Sequence, residues 1–179
     1  MFFTLIQNRR SIRRYEQRPV EPEKVEMLIE AALRSPSSMG SNPWEFIVIT
    51  NSAMLERLSR AKPHGATFLK RAPLAIVVCA DPAKSSVWVE DASIASIYIH
   101  LAAHSLGLGS CWIQIRERMH SEDRTSEDYI SELLGIPDHL KVEAMIAVGY
   151  PAEKKAPWGK GDLQYEKVFS GAYGKPYQP

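Results

Sequence analysis

One segment decides how this chain of 179 residues can pack. Between Asp91 and Leu106, the apolar residues Ala92, Ile94, Ala95, Ile97, Tyr98, Ile99, Leu101, Ala102 and Ala103 run nearly all the way round a helix. A helix that is apolar on every side must be covered on every side. The stretch is shorter than the ~20 apolar residues a membrane span needs. A domain of this size buries roughly two-thirds of its unfolded surface, so the pattern predicts a central helix partly covered by a second copy of the chain. Gly107 follows in the position where a left-handed residue ends a helix.

The remaining elements alternate around it. Val25, Leu28, Ile29 and Ala32 have helical spacing, with Pro22 and Glu23 in the first turn and Ser35-Pro36 forcing a stop near Arg34. Residues 35–43 form a loop by composition, Phe46–Thr50 a strand, and Ser52 caps a short helix through Leu55 and Leu58. Leu74–Ala80 is an uninterrupted apolar run of the kind found in strands buried on both faces. Ser110–Ile115 and Val142–Val148 are further strands, with a helix at Ile130, Leu133 and Leu134 between them, closed by Gly135 and Pro137. Strands separated by helices, with two helices before the first strand, indicate an α+β sheet in a single domain spanning 1–179. Hydrophobic pattern alone leaves a doubly wound fold open. The tail, 152–179, is polar yet holds Trp158, Tyr165, Val168, Phe169, Tyr173 and Tyr177. So many aromatics on an extended arm suit packing against a second subunit.

Charge excludes some functions. Net charge is only +1, so a general nucleic-acid binder, with its broad positive excess, is not expected. The opening Met1–Ile6 is apolar but has no basic lead or small-residue cleavage site, so it does not read as a signal peptide. Cys79 and Cys111 stand far apart in apolar runs, as reduced thiols in a cytoplasmic protein do. Against this neutral background, Arg9, Arg10, Arg13, Arg14 and Arg18 fall within ten residues. A solvated basic face is one reading. A bound phosphate monoester is the other, because the planar guanidinium makes two parallel charge-assisted bonds to phosphate oxygens.

Other candidates weaken on inspection. Gly107-Leu108-Gly109 follows a helix and enters a strand, the reverse of a dinucleotide fingerprint, and Trp112 holds the third glycine position. His100 and His104 share a helix face but have no third ligand nearby, so no metal site is expected. Ser37, Ser38 and Ser41 sit in no nucleophile motif. Loop hydroxyls and amides that bind a polar ring edge are the better reading, and Trp112 at a strand start can wall a planar ring.

Taken in order, these signals resemble the FMN-dependent nitroreductases. Arg9-Arg10-Ser11-Ile12-Arg13 matches that family's opening Arg-[Arg/His]-Ser-x-[Arg/Lys] segment. Pro36-Ser37-Ser38-Met39-Gly40-Ser41-Asn42-Pro43-Trp44-Glu45-Phe46 matches its serine-rich loop and strand, with Gly40 where the family has Asn and Asn42 where it has Gln. Ala72-Pro73-Leu74, Gly107–Ile113 and Gly149-Tyr150-Pro151 follow in register.

The resemblance implies an α+β nitroreductase-like fold. A central mixed, mostly antiparallel sheet would be flanked by helices, with the C-terminal arm exchanged in a homodimer. It implies FMN held by Arg9, Arg10 and Ser11 at the phosphate and ribityl chain, and by Arg13 near the pyrimidine edge. Pro36, Ser37 and Ser38 would reach the same flavin from the partner, with Gly40 and Asn42 as cofactor-loop positions where Asn42 would partly substitute for the family Asn, and Trp112, Ile113 and Gln114 would line the ring. One arm lysine, Lys155 rather than Lys154 or Lys160, would meet the phosphate, and His64 would edge the pocket. It further implies two hydride transfers through flavin N5 in ping-pong order, from NADH or NADPH and then to a nitroaromatic, quinone or enone. No nucleophile or metal from the protein is needed. A non-catalytic flavin sensor or carrier, and a dehalogenase-like flavin enzyme on the same scaffold, are the alternatives.

Overall fold

The computed structural model describes residues 2–177; Met1 of the apolar opening and the last two residues of the arm lie outside it. The helices are α1 (Phe2–Asn8), α2 (Pro22–Leu33), α3 (Ser52–Leu58), α4 (Trp88–Ser105) and α5 (Ser126–Leu134). The strands are β1 (Trp44–Ile49), β2 (Leu74–Ala80), β3 (Gly109–Gln114) and β4 (Lys141–Gly149). They form one sheet in the order β1-β2-β4-β3, with every neighbouring pair antiparallel. The only parallel pairing among the described residues is a single bridge between Ser11 and Ser110.

The unbroken apolar run of β2 has the consequence its pattern demands. Its side chains alternate between two cores. Ala75, Val77 and Cys79 pack under α3 and α5, while Leu74, Ile76, Val78 and Ala80 face the layer of α2 and α4. β4 divides the same way, sending Met145 and Ala147 to one side and Ile146 and Val148 to the other. A bulge between Val78 and Cys79 shifts the β2–β4 register by one residue, the usual effect of an extra residue in one strand.

Two helix starts differ from the sequence reading, and β1, β3 and β4 shift at their ends by one or two residues. α3 is capped by Asn51, whose side-chain oxygen accepts the Met54 N–H at 3.0 Å, not by Ser52. Two cap-competent residues stand side by side, and the one whose oxygen reaches the third amide wins. α4 starts at Trp88, three residues before Asp91. Its end is as expected, with Gly107 at φ +75 in the left-handed region.

The burial of α4 divides. Ala92, Ala95, Ile99 and Ala103 are fully covered by the sheet and α2. Ile94, Ile97 and Tyr98 stay exposed on the far side, and Ile97 and Tyr98 line a groove with Phe2, Leu5 and Ile6 of α1. An apolar groove of about 800 Å³ runs between α1 and α4.

Candidate functional site

The arginine segment is fastened along β3, an edge strand of the sheet. Ile12 N–H donates to the Ser110 carbonyl at 3.0 Å, next to the Ser11–Ser110 bridge. Gly109 permits the approach, since a Cβ there would lie 2.7 Å from Cβ of Ile12. From below, the buried Tyr15 hydroxyl donates to the Ile12 carbonyl at 2.6 Å, and burial pushes its phenol up so that it stays a donor.

The C-terminal segment closes over the other side. Lys155 Nζ donates to the Ser11 carbonyl at 2.7 Å, and Arg10 Nη1 donates to the Ala156 carbonyl while its guanidinium stacks 4.6 Å from the Trp158 ring. Glu153 Oε1 accepts the Arg13 and Arg14 amides at 2.6 and 3.2 Å. Burial opposes the charge on Glu153, but the Arg13 N–H, the Lys155 ammonium and the Arg14 N–H outweigh it and hold the carboxyl below its ordinary value.

Between these parts lies a cavity of about 320 Å³, lined by Arg9, Arg10, His104, Gly107–Ser110, Lys154 and Lys155. Four cations, Arg9, Arg10, Lys154 and Lys155, line it beside Glu153, and their donors suit a phosphate monoester. Arg9, Arg10 and Lys155 thus line one cavity, with Ser11 bonded to Lys155 through its carbonyl. Lys154 shares the cavity, and Lys160 lies further along the arm in a short helical turn.

His100 is satisfied by Ser110 Oγ at 2.7 Å. Burial, reinforced by Arg9, pulls its imidazole down to about 4, so it is neutral. Among the described residues, no group of three or more His, Cys, Asp or Glu could hold a metal. Burial pushes the Cys111 thiol up against the opposing pull of Arg13, Lys155, the Ser11 hydroxyl and Arg9, so it remains an unreactive thiol.

The other predicted residues lie elsewhere. Arg13 points into a neighbouring cavity, its guanidinium 5.9 Å from the Phe68 ring. On β3 the Ile113 side chain is buried in the core, which leaves its main chain alone to face a ligand. Trp112 Nε1 donates to Gln114 Oε1 at 2.9 Å, and the Gln114 amide donates to the Arg116 carbonyl.

The serine-rich loop is a separate, strained platform. Met39, Gly40 and Asn42 have φ of 53, 67 and 45, a region that costs residues other than glycine about 1–2 kcal/mol. Ser37 Oγ takes the Asn42 N–H and donates to Asn42 Oδ1, so the side chain of Asn42 is engaged within the loop. Gly40 has no side chain to offer, and Pro36 is exposed. Ser38 is pinned by Asp91 in the first turn of α4, whereas Arg9 acts on His100 and His104 near that helix's far end. At 1.5 Å per residue, the two sets stand roughly 20 Å apart along the axis.

Sequence reasoning missed Asp91, Glu153, Lys62 and Phe68. Lys62 Nζ donates to the Gln114 carbonyl at 3.0 Å, placing the 59–66 loop against β3, while His64 in that loop is exposed. None of the four sits in a motif, and each gains its place through contacts made by the fold.

The sequence profile of the Nitroreductase family matches residues 6–64 and 58–150. The chain is 44% identical over 151 residues to a protein of Methanothermobacter thermautotrophicus provisionally named NADH dehydrogenase/NAD(P)H nitroreductase, covering 83% of this chain and 76% of that one. A protein of Archaeoglobus fulgidus with the same name is 41% identical over 155 residues, covering 84% and 86%. Among solved structures, an FMN-dependent nitroreductase from Clostridium difficile R20291 superposes with a TM-score of 0.94 at 46% identity, covering 96% of this chain and 99% of that one.

Proposed function

The chain belongs to the nitroreductase family, and from that premise we propose that it is an FMN-dependent NAD(P)H oxidoreductase acting as a homodimer on nitroaromatic, quinone or enone acceptors. The observation that carries this reading is the cationic cavity where Arg9, Arg10 and Lys155 converge beside the Gly107–Ser110 turn. FMN, when bound, would supply the redox chemistry, hydride transfer between NADH or NADPH and the acceptor in ping-pong order.

The residues of the chain hold and tune. Arg9, Arg10 and Lys155 neutralise the phosphate, while the carbonyl of Ser11 fixes Lys155. Arg13 would offer a cation to the flavin's pyrimidine edge. The main chain of β3 from Trp112 to Gln114 would line the ring. Pro36, Ser37 and Ser38 arrive from the partner, which accounts for the separation of the two sets along α4. The apolar groove between α1 and α4 and the exposed Ile97 and Tyr98 are the face that such a partner covers. Among the described residues no helix is long and apolar enough to cross a membrane.

An absorbance spectrum of the purified protein tests the reading, followed by anaerobic reduction with each nicotinamide and reoxidation by a quinone or nitrofuran. A yellow protein with one FMN per subunit that bleaches and recovers is expected. A colourless protein that cannot be reconstituted would refute it. A yellow protein that never oxidises NADH or NADPH would make it a flavin carrier.

A further inference from the structure

A second cationic cavity, of about 520 Å³, adjoins the first and is lined by Arg13, Arg14, Lys70 and Arg71 together with Phe68. Among the described residues, none of these four cations has a carboxylate within 4.0 Å, although eight other cations of the chain do. Glu153 accepts the main-chain amides of Arg13 and Arg14. It fixes their backbone and leaves both guanidinium groups free. Net charge is only +1, so this basin is not part of a generally positive surface.

FMN carries one phosphate, and the cavity at Arg9 and Lys155 accounts for it. A second basin of unpaired cations calls for a second polyanion. We propose that Arg14, Lys70 and Arg71 receive the 2′-phosphate of the electron donor, making NADPH the preferred reductant. The inference rests on the flavin reading. The pyrophosphate is common to both nicotinamide donors and does not distinguish them. The 2′-phosphate adds a dianion with three more acceptor oxygens, the ligand that planar guanidinium forks suit best. Phe68, half-buried under Arg13, offers a flat apolar face for the attached adenine.

Two measurements test this on the holoenzyme. Calorimetric titration with 2′,5′-ADP and with 5′-ADP reads the phosphate without turnover. The ratio of kcat/KM for NADPH to that for NADH, with a quinone as acceptor, reads it in catalysis. Tighter binding of 2′,5′-ADP and a preference for NADPH, each by ~tenfold or more, are expected from charge-assisted contacts of this kind. The double variant Lys70→Glu/Arg71→Glu, at two exposed positions, should erase both preferences through KM and leave FMN content per subunit as it was. Equal binding of the two nucleotides would overturn the proposal, as would equal use of the two donors or a preference that survives the double variant. A double variant that weakens only an anionic acceptor such as nitrobenzoate would assign the basin to the acceptor and likewise overturn it. A protein that takes up no FMN defeats the flavin reading instead, and 2′,5′-ADP binding to that protein still scores the basin.

Discussion

Asp91 holds Ser38 across the gap between α4 and the serine-rich loop, accepting the Ser38 N–H on Oδ1 at 2.8 Å. Its Oδ2 takes the Ser85 hydroxyl at 2.7 Å, and the residue is 2% exposed. A buried carboxylate with no cation partner is tolerated here because two donors and the N-terminal turn of an 18-residue helix stabilise it. Asp91→Ala leaves the Ser38 amide unpaired next to a loop already strained at Met39 and Asn42. Ser38 itself is exposed, so urea denaturation should show a loss of roughly 1 kcal/mol, the usual net worth of one intramolecular hydrogen bond. Asp91→Asn keeps an acceptor for Ser38 and should lose less than half as much. Equal losses would mean that charge, not the Ser38 bond, is what counts.

Arg9 lines the cavity that also holds Lys155 and has no carboxylate partner among the described residues. Arg9→Ala should weaken FMN binding by on the order of 1–3 kcal/mol, as removal of a charge-assisted bond does. Fluorescence titration of the apoprotein reads this directly. Unchanged affinity would remove Arg9 from the phosphate site.

Gly109 is the point where the arginine segment touches β3. A Cβ there would meet Cβ, Cγ1 and Cγ2 of Ile12 at 2.7–2.9 Å. Gly109→Ala must push Ile12 away and drag Ser11 with it. A thermal or denaturant midpoint should fall by the equivalent of ~1–3 kcal/mol, the usual cost of overpacking, and bound FMN should dissociate faster. An unchanged midpoint would mean that the segment yields freely at that contact.

What the sequence made readable follows from which interactions are local. The two-faced run of β2, the left-handed Gly107 and the clustering of arginines are each carried by neighbours in the chain, so pattern alone exposes them. The helix apolar all round was readable too, though only the fold shows which side of α4 stays open at Ile94, Ile97 and Tyr98. The Asn51 cap differs from Ser52 by one residue because both chemistries fit and backbone geometry decides. Glu153 was invisible because its partner Arg13 is 140 positions away. Lys62 and Lys70 likewise became part of cavities through loop placement, which leaves no mark in the residue spacing.

His100 makes stability depend on pH. Its imidazole, ordinarily near 6.5, is pulled down to about 4 by burial and then by Arg9. Above 6.5 both folded and unfolded chains carry it neutral, and its contribution is fully present. As pH falls from 6.5 towards 4, the unfolded chain takes up a proton that the folded chain refuses, so stability is lost. Across that window the loss approaches ~3 kcal/mol at 1.36 kcal/mol per unit. His100→Gln can still pair with Ser110 Oγ and should flatten this part of the profile. Denaturation at pH 7 and at pH 4.5 on both proteins checks it, and parallel slopes would place the acid sensitivity in other groups.

The apolar face of α1 and α4 supplies the last test. Ile97 is 45% exposed and Phe3 71%, with an apolar groove between the helices. A charge placed there costs little while the face is wet, and several kcal/mol once a second copy covers it, because a buried unpaired ion keeps no compensating partner. Ile97→Lys should therefore leave the fold of each chain intact by circular dichroism yet convert the dimer to monomer at micromolar concentration in sedimentation. If Ser37 and Ser38 of one copy reach the flavin of the other, FMN affinity should fall together with dimerisation and recover when protein concentration is raised. A wild-type monomer that keeps one FMN per chain would break that link.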